Sequence, residues 1–188
     1  MSHSVPRPGD APPDHASLHE VERWLRTRRT ESAYGFDPAT GKKVWERHTD
    51  GMEVLLAEVD RERLRGMVFT HNHPRGWAYR ADDPRRAGSS FSPHDVHLAA
   101  ISSLAELRAV APAFKFLMKP GPLGWPAAQQ IEQLVNIAHD RYWRSAALAA
   151  ARGTMNPVQA SADEMPILWT DLAPVLGVVY IRGVIGGA

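Results

Sequence analysis

Two histidines one residue apart close a short apolar run, Met67-Val68-Phe69-Thr70-His71-Asn72-His73-Pro74. Side chains of an extended chain alternate between faces, so His71 and His73 point one way and Asn72 the other. Pro74 has no N–H to give to a sheet ladder and closes the strand. Two imidazoles on one face, at the end of a buried strand, are placed to share a metal ion. Further on, Ser92-Pro93-His94-Asp95 opens a helix and offers a carboxylate. Two His and one Asp, with the fourth position left to water, make a tetrahedral zinc site of the open, catalytic kind. The same four residues also read as an ordinary helix start, with Ser92 at the N-cap, Pro93 at N1 and the Asp95 carboxylate at N3. His94 and His97, three apart on one side of that helix, are alternative ligands, although surface or supporting roles suit them better.

The elements that must hold these groups follow from patterning. Ser17-Leu18-His19-Glu20 is a capping box, and Leu18, Val21, Trp24 and Leu25 then share a helical face. Arg23, Arg26, Arg28 and Arg29 make the outer side basic, as a solvated face usually is. Strands are expected at 31–36 and 43–47, joined by the turn Asp37-Pro38-Ala39-Thr40-Gly41. A helix is expected near 60–64, ended by Gly66, and then the strand 67–70 that leads to the histidines. Residues 93–109 read as a helix with Val96, Ala99, Ala100, Leu104 and Leu107 inward, although a strand starting near Leu107 fits the same residues. A strand at 114–118 alternates cleanly. A long helix over 127–152 turns Ile131, Leu134, Val135, Ala138, Tyr142 and, among them, His139 inward. A connector at 153–162 precedes a helix built on Ile167, Leu168, Leu172 and Val175 and ended by Gly177; Val178 to Ile181 is a last strand added to the sheet. The expected fold is therefore α/β, a mixed β-sheet flanked by helices. It divides into a flexible tail (1–16), a metal-site domain (17–125) and a C-terminal helical extension with a short final strand (126–188).

The loop from Arg75 to Ser90 interleaves Trp77 and Tyr79 with Arg75, Arg80, Arg85 and Arg86. A long structured loop beside a site is usually functional. It reads as a substrate-side lid in which Arg75, Trp77 and Tyr79 hold an extended peptide. Stacking on bases and gripping phosphates is the less favoured use, because a net charge of +1 does not call for nucleic acid. The chain has no cysteine, which excludes disulfides, thiolate metal sites and a Cys nucleophile. No P-loop, Gly-x-Gly-x-x-Gly or His-Glu-x-x-His occurs, so nucleotide hydrolysis and zincin chemistry have no support. No apolar run is long enough to span a bilayer and no secretory signal opens the chain. The expected location is the cytoplasm, or an exterior reached by a signal-independent export system.

His71-x-His73-Pro74 followed by Ser92-x-x-Asp95 resembles the signature of the JAB/MPN metalloproteases, the JAMM family, which includes isopeptidases of the deubiquitinase type and a RadC-like bacterial branch. The resemblance runs from about Arg29 to Pro120, and departs from the common pattern in its longer loop between Pro74 and Ser92. It implies a zinc hydrolase that cleaves a peptide or isopeptide bond in a protein or peptide substrate. It also implies an upstream glutamate as general base, for which Glu31 is the candidate, and a role for Ser92 in stabilising the oxyanion. An exposed glutamate on an edge strand is the plainer reading of Glu31. Gly124-Trp125-Pro126 and the closing Leu176-Gly177-x-x-Tyr180-x-Arg182 are similar to domains appended to phage minor head proteins and secreted bacterial toxins. That second likeness implies a partner-binding module without catalysis as the alternative to an enzyme. A metal-dependent nuclease is the third reading.

Overall fold

The strand that carries the two histidines has neighbours on both sides. The computed structural model describes residues 12, 14–52, 54 and 56–185. In chain order the elements are α1 (Leu18–Leu25), β1 (Ser32–Phe36), β2 (Lys43–His48), α2 (Glu58–Leu64), β3 (Val68–Asn72), α3 (Pro93–Ile101), β4 (Glu106–Val110), β5 (Phe114–Pro120), α4 (Ala128–Ala151), α5 (Pro157–Leu176) and β6 (Val178–Val184). Two short 3₁₀ turns, Pro74–Ala78 and Pro84–Ala87, shape the long loop. The six strands form one mixed α/β sheet in the order β2-β1-β3-β4-β5-β6. β3 pairs antiparallel with β1 and parallel with β4.

β3 runs to Asn72, two residues past the expected end, and is buried from Phe69 onward. Both faces are covered, which suits an interior strand. On one face α1 lays Val21 and Leu25 over Tyr34, Phe36 and Val110. Ala16, in the expected tail, is buried in this same cluster; the tail's residues 1–11 and 13 lie outside the described residues. On the other face Phe69, Leu107, Phe116 and Met118 pack with residues from α3, α4 and α5.

Two elements differ from expectation. The helix expected over 93–109 ends at Ile101, and Glu106–Val110 is β4. The run Ala105-Glu106-Leu107-Arg108-Ala109 favours a helix intrinsically, but that preference is a fraction of a kcal/mol per residue. Pairing on both sides, with β3 and β5, outweighs it. Ser103 makes the break, in the left-handed region at φ 48. Leu104 and Leu107 are core residues all the same, from a turn and a strand rather than a helix.

The second difference is α5. It begins at Pro157, inside the expected connector, with Asn156 as N-cap accepting from the Val158 N–H. Pro166 and Pro174 within the helix disguise it in the sequence, since proline removes a helix donor. Its buried face is Leu168, Trp169, Leu172, Ala173 and Leu176, whereas Ile167 and Val175 are exposed. Gly177 ends it at φ 67, as expected. β6 then joins the sheet beside β5. His139 is not inward: it is exposed and pairs with Glu164 across α4 and α5. Among the described residues no helix is long and apolar enough to cross a membrane.

Candidate metal centre

The C-terminal end of β3 and the first turn of α3 meet. His71 Nε2 and His73 Nε2 stand 2.8 Å apart. Asp95 Oδ1 lies 3.4 Å from the first and Asp95 Oδ2 3.4 Å from the second. Two donors of a tetrahedral ion bonded at ~2.0–2.2 Å stand roughly 3.3–3.6 Å apart, so the carboxylate is at ligand spacing and the imidazoles are slightly closer. Among the described residues this is the one group of three or more such side chains whose ligand atoms converge. The location follows from topology: in open α/β sheets, ligands bind at the carboxyl ends of parallel strands.

Each of the three candidate ligands is held by something else. His73 Nδ1 donates to the Ser89 carbonyl at 3.0 Å, which leaves Nε2 as the lone-pair nitrogen facing the cluster. His71 is fully buried between Phe69 and Phe91, with ring centroids 5.5 and 6.4 Å away. Its Nδ1 is buried without a hydrogen-bond partner, so Nε2 is its only engaged nitrogen. Asp95 has two uses at once. Its Oδ2 accepts from the Ser92 N–H at 2.7 Å and the Ser92 hydroxyl at 2.9 Å, completing the capping box, while Oδ1 faces His71. The ligand reading and the cap reading of these residues are one arrangement.

In the metal-free site the carboxylate and the imidazoles support each other's charged forms, so a bound cation takes the place of an imidazole proton. Burial opposes ionisation of Asp95, but His71 and His73 hold its carboxyl well below the usual range. Burial also opposes a charged His73, and is outweighed by the hydrogen bond and charge of Asp95, with smaller help from Ser89 and Glu31, so its pKa rises. The side chains of His73 and Asp95 keep 17% exposure, against 1% for His71. The cluster is therefore open to solvent on one side. Two neutral imidazoles and a carboxylate are a borderline donor set of the kind zinc takes with an open fourth position. His71, His73 and Asp95 would hold the ion.

Glu31 lies one residue before β1. Ala33 pairs with His71, so Glu31, two residues earlier, continues along the same sheet face toward His73. It is nearly buried, at 9% exposure, rather than an exposed edge residue.

The loop residues divide. Arg75 and Tyr79 line a cleft of ≈ 220 Å³ between the loop and α5, shared with Ser89, Ser161, Glu164 and Met165. Trp77 does not line it. The guanidiniums of Arg29 and Arg86 lie over its ring, 4.5 and 4.3 Å from the centroid, and its indole N–H donates to the Arg26 carbonyl. Arg85 stacks on Tyr79 and pairs with Asp83. Trp77 fastens the loop to the segment after α1, while Tyr79, Arg80, Arg85 and Arg86 make their contacts within the loop.

Three supporting contacts carry no signal in the sequence. The Trp169 indole N–H donates to the Phe91 carbonyl at 2.7 Å, and the Tyr180 and Ser90 hydroxyls pair at 2.8 Å. The C-terminal α5 and β6 thus hold the two residues that lead into Ser92. The third is Asn72, between the two histidines, whose amide bonds to the entry of β1. No protein-family model, curated protein or solved structure matches the chain.

Proposed function

We propose that the chain is a zinc-dependent hydrolase of the JAMM type, cleaving a peptide or isopeptide bond. The observation that carries this is the convergence of His71, His73 and Asp95 at a strand end that is open on one side, with Glu31 near enough for its charge to act on His73. Zinc in such a site supplies Lewis acidity and a water acidified toward a pKa of about 7. Glu31 takes the proton of the attacking nucleophile and returns it to the leaving amine. Ser92 donates to the carbonyl oxygen as negative charge develops there, helped by the N-terminal dipole of α3. Its hydroxyl now donates to Asp95, and the Ser92 N–H keeps Asp95 in place when the hydroxyl turns to substrate. Arg75 and Tyr79 offer a cleft wall for the peptide.

The test has two stages. Metal content is measured on the wild type beside His73→Ala and Asp95→Ala; one equivalent of zinc in the wild type, lost in both variants, supports the site. Peptide and isopeptide substrates are then screened with Glu31→Gln as the control. Lost cleavage with zinc retained supports Glu31 as base, and full cleavage removes it from that role. A protein that takes up no zinc is instead a partner-binding module in which Ser92 and Asp95 only cap α3. Nuclease action is disfavoured, because Arg29, Arg85 and Arg86 already have intramolecular partners.

A further inference from the structure

We infer that Asn72 is a positioning residue: its amide clamps the chain on both sides of Glu31 and so sets where that carboxylate stands relative to the His71–His73–Asp95 cluster. This rests on Glu31 acting at the cluster as proposed above. The β1–β3 ladder ends at the pair Ala33–His71. Beyond it the Asn72 side chain replaces the backbone. Its Oδ1 accepts from the Ser32 N–H at 2.8 Å, and its Nδ2 donates to the Thr30 carbonyl at 3.1 Å. The intervening groups turn the other way: the Glu31 N–H donates to the Gly51 carbonyl, and the Glu31 carbonyl accepts from the Thr49 N–H. Four consecutive backbone groups around Glu31 are therefore fixed, two from each side.

The chemistry selects the residue type. The clamp needs an acceptor and a donor on one short side chain. Asp lacks the donor, Ser and Thr are too short for both partners, and Leu has neither. Asn72 and Ser32 are 2% and 1% exposed, so water does not replace a lost partner. Because Asn72 lies between the two imidazoles in sequence, one strand end fixes both the metal ligands and the glutamate's backbone.

The experiment uses the full chain loaded with Co²⁺, with ¹³C-labelled glutamate, in wild type, Asn72→Ser and Asn72→Asp. The Glu31 signal is assigned by its absence from Glu31→Gln. Expected is a paramagnetic shift of the Glu31 side chain in the wild type that is altered in both Asn72 variants, each still binding one equivalent of metal. With a peptide found by the screen above, kcat falls by up to ~100-fold at unchanged KM, as misplacement of a reacting group by about 1 Å does. Metal retention certifies the fold, and if Asn72→Ser does not fold, Asn72→Asp decides. An unchanged Glu31 shift with metal retained overturns the inference. So does loss of the metal from a folded Asn72 variant, which would place the effect of Asn72 on the ligands. A wild-type Glu31 that feels no paramagnetic shift removes Glu31 from the site, a separate failure that falls on the proposed base and leaves Asn72 nothing to position.

Discussion

The protein carries two close histidine pairs, and only one converges on a third ligand. His71 and His73 are two apart on a strand; His94 and His97 are three apart on a helix. Either spacing puts two imidazoles on one face. His94 and His97 stack with rings nearly parallel, 6° between planes and 6.5 Å between centroids, beside a cleft of ≈ 280 Å³ that Glu132 and Asn136 also line. Their ring nitrogens and the Glu132 carboxylate do not come within ligand reach of one another. The strand pair differs in its surroundings. Phe69 and Phe91 bury one ring, the Ser89 carbonyl orients the other, and a second element brings a carboxylate already fixed by its own cap. An imidazole that nothing orients must surrender rotamer freedom to bind a metal; one held by packing or by a hydrogen bond has done so during folding.

Removing a ligand has the largest effect on this contrast. His73→Ala and Asp95→Ala are expected to lose stoichiometric zinc, whereas the double variant His94→Ala/His97→Ala keeps it, as read by metal analysis after dialysis. Zinc at a hundred times its Kd should stabilise the wild type by about 2.7 kcal/mol and Asp95→Ala not at all, measured by denaturant unfolding with and without metal. Equal zinc loss in the His94/His97 variant would erase the distinction between the pairs.

The next effect tests support from a distance. Trp169→Ala leaves a cavity and should cost about 3–5 kcal/mol in unfolding. Trp169→Phe keeps most of the ring but orphans the Phe91 carbonyl, and should cost roughly 1–3 kcal/mol while weakening zinc affinity. A Trp169→Phe protein with unaltered zinc affinity would show that α5 supports the core and not the site. Ser92→Ala removes the cap hydroxyl from α3, an expected loss of about 1 kcal/mol with zinc still bound but more weakly, read by thermal unfolding and zinc competition. The smallest effect is expected for His94→Ala, within about 0.5 kcal/mol of wild type as a surface substitution, read by thermal unfolding.

Much of the site was legible because its parts obey local rules. The alternation of a strand aligned His71 with His73, and the capping box put Asp95 at the third position of α3. The sheet was less legible. β4 lay hidden in a helix-favouring run, because only its neighbours β3 and β5 make Glu106–Val110 extended. α5 began early behind its prolines, and Trp169 was not read as core. Ser89, Phe91 and Asn72 have no motif; each matters through the group it touches.

The sequence by itself determined the facing of the two imidazoles, the cap that holds Asp95 and the Gly177 stop, because these depend on backbone geometry over a few residues. Tertiary structure alone decided that Asp95 comes within 3.4 Å of both imidazoles, that Asn72 grips Thr30 and Ser32 across 42 and 40 residues, and that Trp169 fastens Phe91 from 78 residues away. Those contacts arise from strand order and from burial on both faces of β3. No local pattern encodes them, since they join segments that meet only when the sheet forms.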